Sequence, residues 1–183
     1  MLKLINWKKQ SDSGQAAVEF ALTLWLFLLM AFFIIDFGWT SYQRASFEYG
    51  YMHSSWSLSA ADLGDTDALE EVPSEAEYTG NTVSDVLRDE LIKSSLGIIG
   101  ANVNISNAKA KLYNEPYTYN VPGRTSGDSV EATSRTRYMD LTADFSYVIH
   151  PLTPIGSMVF RNDITVEKKL TCRRVVKTQN RSE

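Results

Sequence analysis

The chain has 183 residues, 44% of them hydrophobic and 22% charged, and a formal net charge of -4. This length allows one or two small domains. The negative charge gives no electrostatic support for nucleic-acid binding, so we expect no nucleic-acid partner. Cys172 is the single cysteine, which excludes an intramolecular disulfide.

An apolar run near the N-terminus is the strongest feature of the sequence. Residues 15–35 are almost all apolar, and Glu19 is the one charge among them. A helix of about 20 such residues crosses a hydrocarbon core about 30 Å thick, and the run has no polar face. We predict a transmembrane helix over residues 15–38. The alternative is an ordinary secretory signal peptide. Such a peptide would have a shorter apolar core, and its cleavage site would follow that core.

The lysines at the N-terminus predict the orientation of this span. Three of them precede the apolar run: Lys3, Lys8 and Lys9. The positive-inside rule places this end in the cytoplasm and the chain after the span outside. Asp36, at the far end of the run, is then expected near the outer interface, where its carboxylate costs little.

The helix is predicted to continue outside the membrane over residues 39–60. This stretch has no proline, and Tyr42, Tyr49 and Trp56 recur every seven residues. They form one helical stripe. Two interpretations of helix packing stay open: the stripe packs against the protein's own globular part, or against neighbouring helices in a bundle.

Residues 61–183 are predicted to form an α+β head. Residues 62–77 are acidic, and we interpret them as a solvated connection between the N-terminal helix and the remainder of the head. Calcium is a weak alternative at Asp62–Asp67, because the glycine and terminal glutamate of an EF-hand loop are missing. An amphipathic pattern predicts a second helix over residues 82–96, capped by Asn81 or Thr82.

The remainder of the head is predicted to be an antiparallel sheet of about three strands. The first strand covers residues 103–113 with a bulge near Asn107, and a long polar loop follows over 114–137. Strict alternation predicts a half-buried strand over 139–149. A last strand covers 163–176. Two basic residues interrupt its apolar face and mark an edge or a surface that meets a partner: Lys168 and Arg174.

No catalytic pattern supports an enzyme. The chain has two histidines, His53 and His150, and lacks a His-Glu-x-x-His, a Gly-x-Ser-x-Gly and a phosphate-binding glycine loop. We therefore predict a non-enzymatic protein with no catalytic residue, no cofactor and no metal site.

Two short motifs give the chain a family resemblance. Gly-Gln-Ala-Ala-Val-Glu-Phe-Ala-Leu at 14–22 and Ile-Ile-Asp-Phe-Gly at 34–38 resemble the TadE/TadF-like minor pilins of the tight-adherence (Tad/Flp) pilus system. The spacing from Gly14 to Glu19 is similar to that of a type IV prepilin cleavage site. Classical pilins usually have Phe after the cut, and Gln15 at this position favours the Tad branch.

The resemblance implies a structural role. A prepilin peptidase would remove the cytoplasmic leader, residues 1–14, by cutting between Gly14 and Gln15. Glu19 would pair with the N-terminus of a neighbouring subunit and fix its register. The pilin-like subunit would reside in the bacterial inner membrane as a single-pass protein with a periplasmic head. It would then prime or join the filament for adhesion or secretion.

The resemblance also implies partners: prepilin peptidase, other Tad/Flp pilins including a related minor pilin, the inner-membrane assembly platform and membrane lipid. Two alternatives stay open. One is a signal-anchored periplasmic protein, an enzyme or an assembly scaffold, that never enters a filament. The other is a type II secretion pseudopilin, which shares the cleavage chemistry.

Overall fold

A computed structural model of the chain describes residues 7–65, 75–123, 127–160 and 163–181, with side chains from residue 14 to residue 178. The leader before residue 7 and part of the acidic connection lie outside the described residues. The chain divides into two compact units. The helix unit comprises Met1–Tyr42 and His150–Ile164, and the sheet unit comprises Gln43–Ile149 and Thr165–Glu183.

The N-terminal helix is confirmed and is longer than predicted. Helix α1 runs from Trp7 to Ser57, so the predicted cleavage site lies inside the helix and not at its start. By length and composition, the part from Gly14 to Ser57 contains a segment able to cross a membrane. The helix ends at Ser57, three residues before the predicted end, and a 3₁₀ turn follows at Ala61–Leu63.

The head is α+β, and its sheet has four strands in the order β1-β2-β3-β4. The second helix, α2, spans Asn81–Ser94 and confirms the prediction. The predicted cap is wrong, because Gly80 precedes the helix and no side chain caps it. The strands have these bounds: β1 Glu75–Thr79, β2 Val103–Pro122, β3 Ser129–Ile149 and β4 Ile164–Arg181.

The predicted loop over residues 114–137 is wrong, because most of it belongs to a long β-hairpin. Strand β2 pairs antiparallel with β3 from Val103 as far as Pro122, which lies opposite Ser129. Beyond Tyr113, β2 has no partner in β1, and most of its side chains there are exposed or half-buried. Without a buried face, these strands need no apolar alternation, so the sequence pattern resembles a loop.

Two further differences separate the head from its prediction, and one predicted detail is confirmed. Strand β1 is an additional edge strand, formed by the end of the segment interpreted as a solvated connection. A short helix, α3, occupies Pro154–Val159 between β3 and β4, where only a break was expected. The bulge is confirmed: the register shifts between Ser106 and Lys109, and Asn107 has a φ of 52°.

The core of the sheet unit lies between the buried faces of its helices and β-strands. Over residues 139–149, strand β3 alternates as predicted and buries six side chains: Met139, Leu141, Ala143, Phe145, Tyr147 and Ile149. Phe47 and Tyr51 of α1 pack against two of them, with ring centroids 5.2 Å from Tyr147 and from Phe145, respectively. Burial of large aromatic surfaces stabilises this contact.

Helix α2 also lies close to the C-terminal part of α1. It buries Val83, Leu87 and Leu91. At Gly50 of α1, an added Cβ would lie 2.8 Å from the Leu91 carbonyl oxygen and 2.9 Å from the Ser95 Cβ. The close approach of the two backbones therefore requires glycine at this position.

Candidate functional site

The predicted cleavage and register residues lie on the exposed surface of α1. Gly14 has no neighbouring atom within 4 Å of a would-be Cβ. One turn along the helix, the Gln15 side-chain amide donates a hydrogen bond of 3.0 Å to the Glu19 carboxylate. Among the described side chains, Glu19 has no ion-pair partner, and its carboxylate accepts a hydrogen bond only from this neutral amide.

The apolar part of α1 has a surface suited to lipid. Large hydrophobic side chains are exposed on all sides between residues 18 and 28, including Phe20 (68%) and Phe27 (66%). A helix segment that exposes apolar side chains all round meets water at high cost. This segment is compatible with a single-pass membrane anchor.

Asp36 departs from its predicted environment. It is fully buried within the helix unit, whereas the sequence placed it near a hydrated interface. Its Oδ1 accepts hydrogen bonds from the backbone N–H groups of Leu152 (2.8 Å) and Thr153 (3.0 Å). Its Oδ2 accepts a third from the Thr153 hydroxyl. The chain itself supplies the donors that offset the desolvation of this carboxylate.

These donors belong to a segment that we call the α3 loop, residues 150–160. Thr153 also accepts a hydrogen bond from the Gly156 N–H (3.2 Å) and so caps α3. A Cβ at Gly156 would collide with the Asp36 carboxylate, so the contact requires glycine. The Thr153-Pro154 pair is a helix-start signal that could have revealed α3 from the sequence.

Polar contacts hold the ends of the α3 loop. The Trp39 indole N–H donates a hydrogen bond of 3.2 Å to the His150 carbonyl oxygen. The His150 Nδ1 lies 2.6 Å from the Asp163 Oδ1. This contact joins the two ends of the segment that connects β3 to β4. His150 is therefore a structural contact in this unit and shows no catalytic arrangement among the described residues.

The aromatic stripe is exposed in the single chain. Tyr42 and Tyr49 expose about half of their side chains, at 48% and 49%, and Trp56 exposes 78%. The side chains of α1 that pack on the sheet unit lie on another face, and Phe47 and Ser54 are fully buried there. This exposure favours packing against another chain, and both interpretations of the stripe stay predictions.

A buried polar network that the sequence did not reveal joins α1 to the turn after α2. The Gln43 Oε1 accepts a hydrogen bond from the Tyr147 hydroxyl, which also accepts one of 3.2 Å from the Ile99 N–H. Ser46 donates to the Leu96 carbonyl oxygen at 3.2 Å. Burial raises the pKa of Tyr147, so the hydroxyl stays protonated and able to donate.

The two basic residues on the last strand contact α1. The Lys168 ammonium lies 3.4 Å from the Glu48 carboxylate. Arg174 donates to the carbonyl oxygens of Ser55 (3.3 Å) and Trp56 (2.7 Å), where a cation favours the C-terminal end of the helix dipole. Strand β4 is an edge strand, as one interpretation predicted, and these two cations are bound within the chain.

The acidic residues proposed for calcium have other partners. Asp62 accepts a hydrogen bond of 2.9 Å from the Ser59 N–H. Asp65 forms a two-bond ion pair with Arg137. Asp67 lies outside the described residues, and within the described ranges no three acidic, histidine or cysteine side chains cluster as a metal site.

One protein-family model matches the N-terminal segment that carries the two motifs. Comparison with curated proteins and with solved structures finds no match. The family model described as TadE-like protein matches residues 14–50, which begin at the predicted cleavage glycine and include Glu19 and Asp36. Over residues 14–50 the chain is therefore similar to TadE-like proteins.

Proposed function

We propose that this chain is a minor pilin-like structural subunit of a Tad/Flp pilus. In this proposal, prepilin peptidase cuts between Gly14 and Gln15, and the mature subunit primes or joins the filament for adhesion or secretion. The observation that supports it most is the TadE-like match, which starts at Gly14 and covers an exposed apolar helix.

The environment of Glu19 supports a role in contact between subunits. A carboxylate in hydrocarbon costs on the order of 3 kcal/mol on insertion scales and usually has a partner. In the described chain its carboxylate accepts one hydrogen bond from a neutral amide, that of Gln15. Cleavage creates an ammonium group on Gln15, and the Gln15 ammonium of a neighbouring subunit would pair with Glu19 and set the axial register.

The exposed aromatic stripe supports packing between helices in the same assembly. In the sheet unit, Tyr49, Met52 and Trp56 present exposed side chains at helical spacing. Aromatic side chains with this exposure are enriched at protein interfaces. A related minor pilin and other Tad pilins are the proposed partners, with the inner membrane and its assembly platform as the place of docking.

The first test is the intact mass of the protein from membranes that contain the cognate prepilin peptidase. We expect loss of residues 1–14 in the wild type and full length in Gly14→Val. Gly38→Val is a matched control, because neither glycine has an atom within 4 Å of an added Cβ. Full-length protein in every sample would contradict the proposal and favour a signal-anchored periplasmic protein.

The second test separates cleavage from assembly. Glu19→Gln removes the charge but keeps the side-chain shape, so we expect normal cleavage and a strong loss from purified filaments. Thr23→Val is the control, since it removes a neighbouring hydroxyl that bonds the Glu19 backbone carbonyl at 2.8 Å. Normal incorporation of Glu19→Gln would refute the register role. The other pilins in the filament distinguish a Tad pilus from a type II secretion pseudopilus.

A further inference from the structure

We propose that the α3 loop enters the outer leaflet of the membrane beside the transmembrane part of α1. It is a second lipid-binding surface of this chain and shields Asp36 from hydrocarbon. The inference rests on the proposed membrane span. It adds a contact with lipid from a part of the chain more than 100 residues beyond that span.

The first observation is where the loop contacts the helix. Within the helix unit, Ile155 and Val159 of α3 line one apolar cavity of about 310 Å³ with four side chains of α1: Leu29, Met30, Phe33 and Ile34. A helix rises 1.5 Å per residue. If the hydrocarbon ends near Gly38, the predicted end of the span, these four side chains lie about 6–14 Å inside it, and α3 lies at the same depth.

The second observation is the composition and exposure of the loop. Residues 151–160 read Pro-Leu-Thr-Pro-Ile-Gly-Ser-Met-Val-Phe and contain no ionisable side chain. Leu152 (58%), Met158 (82%) and Val159 (54%) are exposed. An exposed apolar surface continuous with a lipid-facing helix at the same depth fits acyl chains.

The third observation is that the loop satisfies polar backbone groups internally. Lipid does not tolerate backbone groups without hydrogen-bond partners. Asp36 accepts hydrogen bonds from the N–H groups of Leu152 and Thr153, and the Phe160 N–H donates to the Gly156 carbonyl oxygen at 2.8 Å. The two prolines of the loop have no N–H group to satisfy. In return, the loop supplies the donors that let a carboxylate remain at this depth.

The experiment measures depth with a fluorophore and lipid-attached quenchers. The full-length chain, with Cys172→Ser, is reconstituted into vesicles of phosphatidylethanolamine and phosphatidylglycerol. Met158→Cys, Met30→Cys and Tyr117→Cys are labelled one at a time with an environment-sensitive dye. All three native side chains are exposed, so the dye has room at each site.

We expect nitroxides on the acyl chains to quench Met158→Cys to an extent comparable with Met30→Cys, and to leave Tyr117→Cys in the sheet unit unquenched. Quenching at Met30 alone would overturn the inference and leave the membrane span intact. No quenching at either site would overturn the span itself. A blue-shifted but unquenched dye at Met158 would show cover by a second protein copy and overturn lipid contact.

A second variant tests the part assigned to Asp36. Asp36→Ala removes the acceptor for three donors of the loop, so quenching at Met158 should fall while quenching at Met30 stays constant. Unchanged quenching at Met158 would show that Asp36 does not hold the loop in the bilayer, and would overturn that assignment.

Discussion

The buried ion pair between Asp65 and Arg137 makes a strong prediction about the stability of the sheet unit. The Arg137 Nε and a terminal nitrogen donate to the two carboxylate oxygens of Asp65, at 2.9 Å and 2.6 Å. Another guanidinium nitrogen donates to the Asn114 Oδ1 at 2.8 Å. The two charged side chains are only 3% and 7% exposed. Solvent therefore screens this pair weakly.

Asp65→Asn keeps the size of the side chain but removes the carboxylate charge that pairs with the buried guanidinium. Breaking a buried pair in this way costs about 3–5 kcal/mol, and the retained amide oxygen favours the lower end. For a chain of this length, 1 kcal/mol lowers Tm by about 2–4 °C. We therefore expect a loss of about 6–12 °C.

The measurement is thermal unfolding of the full chain in detergent, followed by far-UV circular dichroism. Glu75→Gln is the matched control, because it breaks an ion pair with Lys111 that is about half exposed and should lower Tm only slightly. The double variant Asp65→Asn/Arg137→Met should recover part of the loss, because the buried cation is removed together with the carboxylate charge. Equal Tm values for Asp65→Asn and Glu75→Gln would refute the reasoning.

Two further predictions concern contacts of α1 in the sheet unit. Gly50→Ala should destabilise the chain by about 1–3 kcal/mol, because the added methyl group overpacks the contact with α2. Gly38→Ala is the control and should be neutral or stabilising, because no atom lies near its added Cβ. Urea unfolding measures the stability of both variants. Lys168 lowers the pKa of Glu48 through a hydrogen bond and its charge. Because the folded pKa lies below the unfolded value, the pair stabilises above that value and the stabilisation is lost as pH falls through the folded pKa. Glu48→Gln should destabilise the fold slightly at neutral pH, by less than about 1 kcal/mol for this half-exposed pair. The difference in Tm from the wild type should shrink as the pH falls through the folded pKa; a constant difference would contradict this.

The sequence predicted the elements that meet an apolar environment on one face or on all sides. Helix α1 could be predicted from its continuous apolar run, and β3 from alternation between one buried and one half-buried face. The amphipathic pattern predicted helix α2, and the structure buries Val83, Leu87 and Leu91 on one face of it. In each case the environment selects residue type at a fixed period, which a single sequence displays.

The sequence did not predict the strand segments that pair without burying an apolar face. The outer part of the β-hairpin is held by backbone hydrogen bonds, which leave little trace in composition. Pro116 favoured a loop, but it lies beyond the residues of β2 that β1 pairs, where a strand tolerates proline. The pair of Asp65 with Arg137 joins residues 72 positions apart, so no local spacing indicates it.

The two carboxylates of the apolar helix show why residue type alone could not assign the candidate site. Glu19 and Asp36 appear alike in the sequence, as single acids at opposite ends of one span. The fold supplies Asp36 with three donors from the α3 loop, whereas Glu19 accepts one hydrogen bond from a neutral amide among the described side chains. Since a carboxylate in hydrocarbon needs a partner, a chain that satisfies Asp36 internally leaves Glu19 as the acid that requires another subunit. The contrast between the two environments therefore gives a physical reason to expect the intermolecular pairing at Glu19 and not at Asp36.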